Sequence, residues 1–220
     1  MLARLLRFCR APLPNKLYSL SIFYCKFKGA VYYRLVFKKF GRGSFIRNPS
    51  LIWNPQYISV GKGVSVRDGI RLEVVVSSSD RTPDLVIGDD TNIEQNVHVV
   101  CHSRVQIGSN VSIAGNCSLA DITHPYSNVD DPVKIGARIK DEDSFIEIGN
   151  GSFIGFGSVI LPNVRIGTSA VIGANSVVGR DVPDNAVAAG APAVILKQYD
   201  TLKGTWVKAV STGRLDVSGS

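Results

Sequence analysis

The chain has 220 residues, 45% of them hydrophobic, with 25 Lys and Arg against 18 Asp and Glu, a formal net charge of +7. This suits one domain with a core and terminal extensions, and no apolar run approaches the ~20 residues needed to span a bilayer. Cys9, Cys25, Cys101 and Cys117 have neither metal-ligand nor redox spacing, so four reduced thiols without catalytic duty are expected.

The charge is unevenly spread. Residues 1–67 contain no Asp or Glu, the first acid being Asp68, so the remainder is net acidic. Residues 1–43 read as a basic, helical N-terminal segment. Arg4, Arg7 and Arg10 recur at helical spacing in MLARLLRFCR before APLP ends the run, and Leu17, Leu20, Tyr24, Phe27, Val31 and Leu35 then form a helical stripe ringed by basic residues. Three readings stand for this end: helices capping an open sheet stack, an amphipathic surface touching anionic lipid, or nucleic-acid binding. No recognised module or aromatic platform supports the last, and no nucleic-acid partner is expected. Arg and Lys interrupt every candidate leader core, and no small-residue cleavage site follows. A cytoplasmic protein is the expectation, and on the lipid reading one peripheral at the inner face of the membrane.

From residue 44 to 197 a six-residue period takes over. A large aliphatic recurs as Ile87, Ile93, Val99, as Ile107, Ile113, Leu119, and as Ile148, Ile154, Ile160, Ile166, Ile172, Val178. Gly or a small residue usually follows. Four places on sits a small or β-branched residue, among them Thr91, Val97, Val111, Cys117, Thr123, Ser152, Ser158 and Ser176. Weaker hexads begin near Phe45, Leu51, Val60, Val66 and Leu72. Such periods mark parallel β-helices, in which one coil cannot bury its own apolar row and stacked coils can. Each hexad supplies a short strand and a corner; three close a triangular coil, and coils stack roughly 4.8 Å apart. The period resembles the left-handed β-helix of the acyltransferase superfamily. That hand comes from the resemblance, because parallel crossovers are otherwise right-handed.

The breaks are informative. Residues 77–84 (SSSDRTPD) read as a polar loop, and Val105–Gln106 as a two-residue corner insertion. Residues 125–147 contain no repeat, and a structureless loop that long inside a compact domain is usually functional. His124 stands where the chain leaves the prism for this loop, held rigidly beneath a lid, as a general base should be. A corner histidine bonded to a backbone carbonyl is the bland alternative. Asp121 is a candidate to orient it. The tail, residues 198–220, is polar, with Trp206 as its one anchor.

The stretches IGSNVSIAGNCSLADITHP (107–125) and SFIEIGNGSFIGFGSVILPNVRIGTSAVIGANSVVGRDVPDNAVAAGAPAVILK (144–197) resemble the galactoside and maltose O-acetyltransferases of the hexapeptide family and the sugar O-acetyltransferases of surface-polysaccharide assembly. The resemblance implies acetyl-CoA as co-substrate, direct transfer to a sugar hydroxyl with His124 as general base, and no metal. It also implies a homotrimer with sites between subunits. By family position Asn96 contacts the acceptor, and the Phe156 amide stabilises the oxyanion. Ala174 and Gly179 line the pantetheine path, and Arg180 and Lys197 meet the phosphates. Phe153 departs from the tryptophan common in the family, which leaves the shape of the acceptor pocket open. Bland readings remain beside each: a corner-capping amide for Asn96, ordinary packing for Ala174 and Gly179, and solvated charge for Arg180 and Lys197.

Three alternatives are weighed against this. A zinc site on His98, His102 and His124 lacks the spacings of the β-helical carbonic anhydrases. N-acetylation of a nucleotide-linked amino sugar keeps the enzyme and changes the acceptor. A non-catalytic membrane-docked scaffold would leave acetyl-CoA unbound.

Overall fold

The computed structural model describes residues 11–77, 82–140 and 142–208. Arg4, Arg7, Cys9 and Arg10, and the tail beyond residue 208, lie outside the described residues.

The hexads form a triangular prism of parallel strands. The first face stacks Lys39–Phe40, Ile58–Val60, Asp84–Ile87, Arg104–Ile107, Phe145–Ile148 and Val164–Ile166. The second stacks Phe45–Ile46, Ser65–Val66, Asn92–Ile93, Ser112–Ile113, Phe153–Ile154 and Val171–Ile172, and then adds Ala186–Gly190, Ala193–Asp200 and Thr205–Lys208. The third stacks Leu51–Trp53, Arg71–Val74, His98–Cys101, Ser118–Ala120, Val159–Ile160 and Val177–Val178. The chain visits the faces in that order, coil after coil.

Register follows the aliphatic rows. Ile107 pairs with Ile148 and Ile148 with Ile166; Ile113 lies on Ile154 and Ile154 on Ile172. All of these are buried, and each such side chain contributes about 1.5–3 kcal/mol over leaving it exposed. The small position in each hexad also faces inward. At three of these positions a hydroxyl donates to a corner glycine carbonyl of the following coil: Thr91 to Gly108, Ser152 to Gly167, Ser158 to Gly173. Thus a polar atom is buried without loss of a partner.

The corners divide their requirements between two positions. Most glycines that follow an aliphatic are needed for room: a Cβ at Gly88 would stand 2.5 Å from the Gly108 carbonyl carbon. Positive φ falls two residues later, on Asp90, Asn96, Asn110, Asn116, Ser169 and Asn175, residue types that tolerate the left-handed region.

Several expectations need correction. The two extra residues of the fourth coil fall at the corner after Cys101, because Val105 and Gln106 lie within strand Arg104–Ile107 with Val105 buried in the core. Thr123 is exposed, the chain having left the prism after Asp121. The strand Phe145–Ile148 begins before residue 147. The domain boundary at residue 198 falls inside a strand: Ala193–Asp200 folds back antiparallel on Ala186–Gly190 and pairs with Thr205–Lys208, where Trp206 meets the Tyr199 ring edge-on at 5.5 Å.

At the other end, helix α1 (Leu13–Lys28) continues through a π-turn, Gly29–Tyr33, and a last α-turn, Arg34–Val36. Pro12 and Pro14 suit its start, and Lys26 and Lys28 suit the negative end of its dipole. It packs on the first coil through Cys25, Gly29 and Tyr33; Tyr33, Phe37 and Phe40 then form an aromatic cluster on the prism core, with centroids 5.2–5.3 Å apart. The predicted stripe is therefore the helix's outer face.

Candidate active site

His124 follows strand Ser118–Ala120, just past the edge where the third face turns to the first. Asp121 anchors the root of its loop. Its fully buried carboxylate accepts the backbone N–H groups of His102, at 2.5 Å, Ser103, at 2.9 Å, and Arg104, at 2.7 Å, all at the lengthened corner of the coil below. Its carbonyl receives the Ser144 hydroxyl from the end of the loop, and the Lys140 N–H donates to the Thr123 carbonyl. Burial pushes the Asp121 carboxyl up from its ordinary value, against the opposing pull of the three amides. The carboxylate is thus committed to the corner, and it does not orient His124 directly.

The partner of His124 is a backbone carbonyl. Its Nδ1 lies 2.8 Å from the Arg138 oxygen, and because a carbonyl only accepts, Nδ1 carries the proton. In the neutral ring Nε2 then holds a free lone pair. The half-buried imidazole is thereby set in the tautomer that a general base requires.

Arg138 gathers the loop from within. Its guanidinium donates to the carbonyls of Val133, at 2.7 Å, Asp131, at 2.8 Å, and Asn128, at 2.9 Å, and stands 3.3 Å from the Asp131 carboxylate. Nothing in the sequence singled out Arg138. Most of its partners are backbone carbonyls, which leave no trace in side-chain pattern.

The other candidates divide between two edges of the third face. Asn96, Phe156 and Ala174 lie on the edge where the second face turns to the third, in the third, fifth and sixth coils, with Gly115 of the fourth coil between the first two. Asn96 points outward, not into the prism, with φ 56°. The Phe156 ring is half exposed and packs beside Gly115, and among the described residues its N–H donates no hydrogen bond. Phe153 projects outward from the second face nearby. Gly179 and Arg180 lie on the opposite edge, the one from which the His124 loop departs. A Cβ at Gly179 would come 3.2 Å from the Leu161 side chain. Arg180 is exposed beside a cavity of about 890 Å³ beneath the C-terminal strands, also lined by Val182, Ile195 and Tyr199. Lys197 is exposed on one of those strands. Within one chain, His124 is therefore apart from Asn96 and Phe156.

The three histidines are dispersed. His98 points outward from the third face, and His102 is buried with Nε2 2.6 Å from the Ser77 hydroxyl. Among the described residues no three His, Cys, Asp or Glu side chains converge as metal ligands. Cys25, Cys101 and Cys117 are free and buried, and burial pushes each thiol up, away from nucleophilic thiolate.

Residues 145–180 match the bacterial transferase hexapeptide family (six repeats). Over 168 residues, 74% of this chain and 83% of its relative, the sequence is 31% identical to WbbJ of Escherichia coli, a protein named for O-acetyl transfer in lipopolysaccharide biosynthesis. It is 39% identical over 115 residues to the galactoside O-acetyltransferase of the same organism, covering 52% of this chain and 54% of that one. Among solved structures, AntD, an N-acyltransferase from Bacillus cereus, superposes with a TM-score of 0.54 at 21% identity, covering 77% of this chain and 88% of that one. The polySia-specific acetyltransferase NeuO gives 0.53 at 22%, covering 78% and 74%. Together with the three parallel faces and the repeats, these likenesses identify the prism as a left-handed parallel β-helix.

Proposed function

Because the chain belongs to the hexapeptide-repeat acetyltransferase family, we propose that it moves an acetyl group from acetyl-CoA to a sugar hydroxyl of a polysaccharide or lipid-linked precursor, with His124 as general base. The observation that carries the reading is the His124 ring, donating through Nδ1 to the Arg138 carbonyl and leaving Nε2 free. Nε2 takes the hydroxyl proton as the oxygen attacks the thioester carbon; the C–S bond then breaks and the imidazolium returns the proton to the departing thiolate. An oxyanion forms between the two steps and needs an N–H donor, and the unpaired Phe156 amide supplies one. Ala174 and Gly179 leave room for a thin pantetheine arm, and Arg180 and Lys197 offer charge to phosphates.

The two half-sites on opposite edges of the third face support a cyclic homotrimer. There, one chain presents Asn96, Phe153 and Phe156 to the His124 loop of its neighbour. A closed three-fold ring satisfies both edges of every chain.

The test is acetylation of a panel of sugars with radiolabelled acetyl-CoA, comparing the wild type with His124→Ala. Label transferred to a hydroxyl by the wild type alone supports the reading. Transfer only to amino sugars favours the N-acetyl alternative, and no acetyl-CoA binding by either protein overturns both.

A further inference from the structure

The helix that caps the first coil has a second apolar face. Leu17, Leu20, Tyr24, Phe27, Val31 and Leu35, spaced three and four residues apart, run down one side, and each is more than half exposed. Cys25, Gly29 and Tyr33 are the buried side. The outer row is therefore surplus to the packing of this chain, and it forms one continuous strip, the kind of patch that marks a contact surface.

The surrounding charge has one sign. Residues 1–67 carry thirteen Lys and Arg and no acid. Arg47, Arg67 and Lys38 are paired with Asp68, Glu94 and Asp84. Lys16, Arg34, Lys39 and Arg42 have no carboxylate partner among the described residues. Two such faces brought together would set like charges against each other, which disfavours a second copy of the chain as the occupant. No helix among the described residues is long and apolar enough to cross a membrane. An apolar strip of this length beneath cations fits the plane of the headgroups instead.

We propose that the outer face of this helix lies in an anionic lipid surface, its apolar row among the upper acyl carbons and its cations on the headgroup phosphates. The site is independent of acyl transfer, since no substrate takes part in it.

The test is sedimentation of the full chain with vesicles of phosphatidylcholine alone and of an equal mixture with phosphatidylglycerol. Binding to the mixture about ten-fold tighter than to phosphatidylcholine, and weakening as salt is raised, is expected. The double variant Leu20→Ser/Phe27→Ser should lose about ten-fold in partition with an unchanged melting temperature, both side chains being exposed. Arg34→Gln/Arg42→Gln should lose several-fold and become less sensitive to salt, Lys16 and Lys39 remaining. No partition, or equal partition into both vesicles, overturns the proposal. So does a Leu20→Ser/Phe27→Ser variant that changes mass by light scattering while binding vesicles as the wild type does, which would assign the strip to a second copy.

Discussion

His124 and Arg138 are joined by a single hydrogen bond, from the imidazole Nδ1–H to the arginine's backbone carbonyl, 2.8 Å long. It closes fourteen residues of the loop and leaves Nε2 the only basic atom of the ring. Replacing His124 with Ala or Gln should therefore reduce acetyl transfer by about 10²–10⁴-fold, while calorimetry shows acetyl-CoA still bound. A variant that kept most of the wild-type rate would remove His124 from the chemistry.

Arg138 acts on the same atom at one remove. Its side chain, 11% exposed, ties three loop carbonyls and the Asp131 carboxylate together. Without it the carbonyl that holds the imidazole drifts, and a displacement of about 1 Å at a reacting group costs on the order of a hundred-fold. Arg138→Ala should lower kcat by that order, leave KM for acetyl-CoA little changed, and leave the melting temperature of the prism where it was. Arg138→Lys should recover little, since an ammonium cannot reproduce the guanidinium fork. A fall in melting temperature with unchanged kcat would mean that Arg138 serves stability alone.

What the sequence disclosed and what it hid differ by range. The hexads were legible because each coil repeats a local requirement: an inward aliphatic, a glycine where the next backbone passes, a small residue beneath. A further marker, the Asn or Asp three residues after the aliphatic, was equally visible as Asp90, Asn110 and Asn116, and it marks the positive-φ corner. The insertion could be slid along the corner because a two-residue slip preserves strand alternation; only the burial of Val105 fixes it. The direction of the N-terminal helix was hidden because both of its faces are apolar. His124 announced itself by position and resemblance, but its tautomer depends on a carbonyl fourteen residues away. That Asn96 and Phe156 stand on the far edge of the same face is a fact of coil stacking, and no motif carries it.

Asp121 holds three buried amides at once. Leaving such donors unpaired costs about 1–3 kcal/mol each, so Asp121→Ala should destabilise the chain by roughly 3 kcal/mol or more, and it should loosen the loop root with it. Burial raises the carboxyl's pKa from its ordinary 3.8, so the folded state keeps this proton at a pH where the unfolded chain has released it. That contribution to stability is full below the ordinary value and is lost as pH rises through the raised one. The melting-temperature gap between the wild type and Asp121→Asn should therefore narrow as pH rises through that window. A gap that widened would show the amides outweighing desolvation.

Two glycines of one corner separate room from conformation. At Gly149 a Cβ would stand 2.5 Å from the Thr168 nitrogen and 2.6 Å from the Gly167 carbonyl carbon, both backbone atoms of the next coil. At Gly151, with φ +68°, it would meet nothing nearer than the Ser169 hydroxyl at 3.5 Å. Gly149→Ala must push two coils apart and should cost about 3 kcal/mol or more, beyond ordinary overpacking. Gly151→Ala pays only the left-handed penalty of about 1–2 kcal/mol. Gly151→Asn should recover most of that loss, because Asn110 and Asn185 hold the same conformation at the same corner of other coils. Denaturant midpoints for the three variants check the ordering. Equal losses at Gly149 and Gly151 would mean that the stack yields to a methyl group, and that glycine is kept at both positions for its backbone freedom alone.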